Sequence, residues 1–111
     1  MPQAKVEVFE KDLQETAVLF KALSHPARLA ILKFLTETNS CFTGDISSLI
    51  PLGRTTVNQH LAELKKSGLI RGHITGIKTN YCINPEKINA LKKAMENLSG
   101  SLQVDMNFHC E

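Results

Sequence analysis

The sequence predicts a mainly α-helical fold in one domain, residues 1–111, with a single small β-hairpin placed late in the chain. Three observations carry this reading. Apolar residues recur at helical spacing in five stretches. Two short runs rich in β-branched residues flank a glycine. The boundaries between stretches carry helix start and stop residues.

The first stretch holds Leu13, Ala17, Phe20 and Leu23, the stripe of an amphipathic helix over 13–23. Ser24 suits the cap of a second helix, in whose first turn Pro26 is tolerated because no N–H is needed there. That helix continues through Ala27, Ile31, Leu32 and Leu35 and stops in the polar run 36–40. Cys41-Phe42 reads as a very short strand. Thr43 then suits the cap of a short third helix holding Ile46, Leu49 and Ile50, with Asp45 near its positive end and Pro51 closing it. After the turn at Leu52-Gly53, a fourth helix runs from Arg54 to Ser67 with Val57, Leu61 and Leu64 facing inward, and Gly68 is its stop. Leu69–Thr75 and Ile77–Ile83 form strands around Thr75-Gly76. Asn84-Pro85-Glu86 opens a last helix over 85–98, striped by Ile88, Leu91, Met95 and Leu98. The tail, 99–111, alternates apolar and polar residues from Leu102 onward, as an extended segment does.

A short helix, a tight turn and a longer helix over 43–67 make a helix-turn-helix, and a hairpin over 69–83 directly after it sits where a wing would. The predicted architecture is a winged helix-turn-helix.

Composition limits the function. Hydrophobic residues make up 42% and charged residues 22%, ordinary for a folded globular chain. No apolar run reaches the roughly 20 residues that span a bilayer, and the N-terminus lacks the apolar stretch of a secretory signal. The expectation is a cytoplasmic protein without a membrane partner. Cys41, Cys82 and Cys110 are odd in number and far apart, so they are expected as free thiols or metal ligands rather than a disulfide framework. Net charge is +2, but residues 41–84 carry five basic groups against two acidic ones, with His60 and His73 among them.

The run Phe20 to Leu32 (FKALSHPARLAIL), the run Arg54 to Ile70 (RTTVNQHLAELKKSGLI) and the strand ending Tyr81-Cys82-Ile83 resemble, in that order, the ArsR/SmtB family of metal-sensing repressors. The resemblance covers about two thirds of the chain. It implies a homodimer held by the first and last helices, here 13–23 and 85–98, and a sequence-specific repressor of double-stranded DNA. A two-fold dimer implies a roughly palindromic operator, with half-sites about 34–36 Å apart.

Within that frame the outer face of the fourth helix supplies the reading residues. Asn58 and Gln59 suit adenine and Arg54 suits guanine, while the hydroxyls and methyls of Thr55 and Thr56 suit phosphate and thymine. Arg71, His73 and Lys78 flank the wing tip, where they hold phosphates or simply meet solvent. His60 matches a histidine common in the family; it contacts phosphate or packs within the protein.

The sensing pattern departs from the family's best-known sites. Only Cys41 stands where arsenic and cadmium sensors carry Cys-x-Cys, and residues 85–98 hold none of the histidines of the zinc sensors. The alternative is that Cys41, Cys82 and Cys110 converge, a soft set suited to trivalent arsenic or, with His109, to Zn2+. Cys82 and Cys110 equally suit packing as small hydrophobes. The expected function is thus a repressor released by a thiophilic ligand. A thiol redox sensor or a ligand-independent repressor is the alternative, and a protein-interaction module is the distant one. An enzyme is disfavoured, because adjacent His109 and Cys110 in an extended tail point to opposite faces, and there is no phosphate-binding glycine loop.

Overall fold

The computed structural model describes residues 6–38, 40–75 and 78–107. After a 3-10 turn at Val6–Val8 come α1 (Lys11–Ala22), α2 (Pro26–Glu37), β1 (Cys41–Gly44), a 3-10 turn at Ile46–Ser48, α3 (Arg54–Ser67), β2 (Ile70–Thr75), β3 (Lys78–Ile83) and α4 (Pro85–Ser101). The sheet is antiparallel with β3 in the middle, order β1-β3-β2. Among the described residues no helix is long and apolar enough to cross a membrane.

Ile31, Leu35, Ile46, Val57, Leu61, Leu64, Leu69 and Ile70 are almost wholly removed from solvent. They gather side chains from α2, the 46–48 turn, α3 and β2, so the core seats α3 between the helices and the sheet. Arg28, on α2, donates to the carbonyls of Lys21 and Ala22 at the end of α1 (3.3 and 3.4 Å). That places a cation on the last carbonyls of α1, at the negative pole of the helix.

Several elements differ from expectation. The cap of α2 is His25 rather than Ser24: its Nδ1 accepts from the Ala27 N–H at 3.0 Å. The third helix, expected from Thr43, is only the 3-10 turn Ile46–Ser48, capped by Asp45. Residues 41–44 are drawn into the sheet by pairing with β3. What remains before Pro51 is too short for an α-helix to repay its nucleation. The leading half of the helix-turn-helix over 43–67 is therefore one turn.

Helix α1 buries Leu19 and Ala22, whereas Leu13 and Ala17 of the predicted stripe, on a helix expected to hold the dimer, are exposed. The helix is apolar on two sides, and Leu19 and Ala22 win the core. In α4 Leu91 is buried and Ile88 and Ala94 are half-buried; Met95 and Leu98 are exposed. The helix runs past residue 98 to Ser101, and no strand forms from Leu102 through Asn107. Between α1 and α4 lies an apolar groove of about 500 Å³ lined by Phe20, Leu23, Met95, Leu98, Ser99 and Leu102.

Candidate nucleic-acid interface

Helix α3 begins at Arg54 and is stopped by Gly68, whose φ of +87° is the left-handed conformation that ends a helix. Val57, Leu61 and Leu64 fix its rotation by pointing fully into the core. The opposite side then presents Thr55, Thr56, Gln59, Ala62, Glu63 and Lys66 to solvent. Thr55, Thr56 and Gln59 stand at the N-terminal end, where a reading helix meets base edges. Asn58 lies half-buried on the flank.

Arg54 is exposed but engaged: its guanidinium bonds the Asp45 carboxylate at 2.8 Å. The same carboxylate accepts the Ser47 N–H at 3.0 Å and the Ser47 hydroxyl. Ser47 first, then Arg54, hold the Asp45 carboxyl below its ordinary range. Arg54 thus ties α3 to the turn before it. Sequence reasoning marked it for guanine because the carboxylate partner lies nine positions away, off any helical period.

His60 turns inward. Its ring packs against His25, with centroids 4.1 Å apart. Burial first, then the neighbouring His25 and Arg28, hold its imidazole below the ordinary value, with Glu63 opposing them. The folded chain refuses a proton that the unfolded chain accepts. Stability is therefore full above the ordinary histidine value of 6.5 and is lost as pH falls through the window beneath it. Melting followed from about pH 7.5 down to about pH 5.5 is expected to show this decline, and His60→Gln to flatten it.

On the wing, Arg71 is exposed and donates to the Asn84 side-chain oxygen at 2.8 Å. His73 is also exposed. Lys78 opens β3, but its side chain, like Gly76 at the tip, lies outside the described residues. Between the end of α3 and the sheet is a groove of about 540 Å³ lined by Ala62, Lys65, Lys66, His73 and Tyr81. Lys65 and Lys66 were absent from the expected site. Their signal was present, two basic residues in the last turn of the reading helix, but only the fold brings them beside His73.

Cys41 and Cys82 stand directly opposite each other in the β1–β3 register, Cα atoms 4.0 Å apart, and are joined by a disulfide. This corrects the expectation of free thiols or metal ligands for these two: adjacent antiparallel partners bring their sulfurs together. Cys110 and His109 lie outside the described residues. Among the described residues no three His, Cys, Asp or Glu side chains gather into a metal-holding group. The described side chains do not fit a resident metal.

Residues 23–73 match a family described as a helix-turn-helix domain. Over 85 residues the chain is 32% identical to the HTH-type transcriptional regulator YgaV of Escherichia coli strain K12, spanning 77% of this chain and 86% of that protein. It is 30% identical over 83 residues to the transcriptional repressor PagR of Bacillus anthracis, spanning 75% and 83%. The solved structure of an ArsR-like transcriptional regulator from Rhodococcus sp. RHA1 superposes with a TM-score of 0.60 at 26% identity, covering 80% of this chain and 83% of that one. These relatives are transcriptional regulators and not enzymes. With its helix-turn-helix, its three-stranded antiparallel sheet and the outward polar end of α3, the chain belongs to the ArsR/SmtB family of winged helix-turn-helix transcriptional regulators.

Proposed function

We propose that the chain acts in the cytoplasm as a homodimer that binds a roughly palindromic DNA operator sequence-specifically, represses transcription there, and is released by chemistry at Cys41 and Cys82. The observation that carries the DNA reading is the rotation of α3: with Val57, Leu61 and Leu64 in the core, Thr55, Thr56 and Gln59 form an exposed polar end. Lys65 and Lys66, with His73 across the groove, supply phosphate contacts on the same side. Arg71 extends that set along the wing, whereas His60 and Arg54 serve the fold first. The unpartnered apolar groove between α1 and α4 supports the homodimer. The relationship to PagR, named a transcriptional repressor, supports repression.

For release, the disulfide favours a redox response over capture of trivalent arsenic or Zn2+. Two thiols pair at once, whereas a soft-metal site needs at least one more ligand than the described residues supply. With hydrogen peroxide as oxidant, the two cysteine thiols give one disulfide and the peroxide becomes two waters. In the cytoplasm such bonds are transient and suited to sensing.

Fluorescence anisotropy with DNA sequences enriched from a random duplex pool tests both parts. The parent is expected to lose affinity steeply with salt, and Lys65→Ala/Lys66→Ala to lower the log–log slope by about one for each lysine that meets a phosphate. Peroxide is expected to release the parent and Cys110→Ser, reversibly with dithiothreitol, but not Cys41→Ser or Cys82→Ser. Release by arsenite or zinc that requires Cys110 would instead favour the three-thiolate site. Salt-independent binding, or no enriched sequence, would leave a protein-interaction module.

A further inference from the structure

Asn84 stands at the N-cap position of α4, yet its side chain makes no capping bond to that helix. It is turned to other work. The amide nitrogen donates to the Gly68 carbonyl at 2.9 Å, at the stop of α3. The amide oxygen accepts from the Arg71 guanidinium at 2.8 Å, on β2. The amide orientation follows from chemistry, since a guanidinium only donates and a carbonyl only accepts. Its backbone N–H donates to the Leu69 carbonyl, and its own carbonyl accepts the Ile88 N–H in the first turn of α4, both at 3.0 Å. One residue therefore bonds the end of the reading helix, the first wing strand and the start of α4.

The corner it closes is tightly packed. A Cβ added at Gly68 would lie 2.8 Å from the Lys87 side chain, so the first turn of α4 rests on the stop of α3. Leu69, Ile70 and Leu91 are buried in the same core. From this corner α4 runs for 17 residues, carrying Met95 and Leu98 on the face that lines the apolar groove. A helix of that length is about 25 Å long, so a tilt of about 8° at the corner shifts its far end by about 3.5 Å, one base-pair step.

We infer that Asn84 is a positioning residue that locks α3, the wing and α4 into one unit, and so sets which spacing between two DNA half-sites the dimer accepts. This rests on the dimeric DNA-binding reading. It adds to that reading a residue whose side chain is bonded to Gly68 and Arg71 within the chain. Arg71 gains a second task by the same geometry: part of its guanidinium is spent on this corner rather than on phosphate.

The test uses the full chain and duplexes enriched by the parent from a random pool. Affinities are measured at one salt concentration for an isolated half-site, for the enriched two-site duplex, and for duplexes whose spacer is one or two base pairs longer or shorter. For the parent, a spacer changed by one base pair is expected to weaken binding by about tenfold or more, because both heads no longer engage at once. Asn84→Ala and Asn84→Asp are expected to reduce that penalty to about threefold or less, with dimer mass unchanged. The penalty is read as the ratio of affinities between spacers for one variant, so that any change in half-site affinity through Arg71 cancels. Asn84→Asp keeps the acceptor for Arg71 and a good helix start while losing the donor to Gly68. It is the variant that decides should Asn84→Ala fold poorly. General loosening lowers half-site and two-site affinity together; a lost positioning tie lowers the spacing penalty. Folded variants that keep the parental spacing penalty would overturn the inference alone. A parent that enriches no DNA sequence would overturn the reading beneath it.

Discussion

Replacing Thr56 and Gln59 together with alanine is expected to weaken binding to the enriched operator by about two to three orders of magnitude. Each base contact carries about 1–3 kcal/mol of discrimination, and both side chains stand clear of the core. Surface changes of this kind move folding stability by about 0.5 kcal/mol or less, so the melting temperature stays near that of the parent. Binding to a scrambled duplex should hardly change, because Lys65, Lys66 and His73 remain on the groove beside α3. Anisotropy on the two duplexes separates the effects. Equal losses on both, or none on either, would remove the outward end of α3 as the reader of sequence.

The second large effect lies in the wing. Gly72 has φ +147°, and a Cβ there would drive into the backbone carbonyl oxygen of Asn80 and into Tyr81. Neither neighbour has room to yield. Asn80 and Tyr81 belong to the central strand, pinned by β1 on one side and β2 on the other, and Tyr81 is part of the core. Gly72→Ala is therefore expected to cost about 3 kcal/mol or more through strain and overpacking. In a domain of this size that lowers the melting temperature by about 15 °C. Gly100 is the contrasting site: it lies in α4 with open space around it. Gly100→Ala should be neutral or raise stability by about 0.5–1 kcal/mol. Thermal denaturation of both variants checks the pair, and similar values would show that the wing tolerates a side chain at position 72.

Local signals in the sequence decide the structure where one period or one cap suffices. Val57, Leu61 and Leu64 fixed the inner face of α3, Gly68 its stop, and Pro85 the start of α4, because each acts within a turn or two of chain. Convergence of Cys41 with Cys82 was expected only as one alternative, from the winged-helix resemblance and not from any local period. What escaped depended on partners distant in sequence. Thr43 is an adequate cap in isolation, but pairing with β3 claims it and passes the role to Asp45. Arg54 looks like a base reader until Asp45 folds against it. Leu13 and Leu19 are equally apolar, and only the packing of α1 on α3 and α4 decides which is buried. The bond between Cys41 and Cys82 and the three-way tie at Asn84 are likewise invisible to periodicity, since they require the register of the sheet.

Tyr81 has one more consequence. The chain contains a single tyrosine and no tryptophan. That tyrosine is 4% exposed, sits opposite Gly72 in the central strand and borders the groove against α3. Burial raises its hydroxyl above the ordinary value, so it remains the neutral phenol throughout the physiological range. The protein therefore carries a built-in fluorophore at the root of its wing, and its ultraviolet emission reports movement of that hairpin against the reading helix without any attached dye.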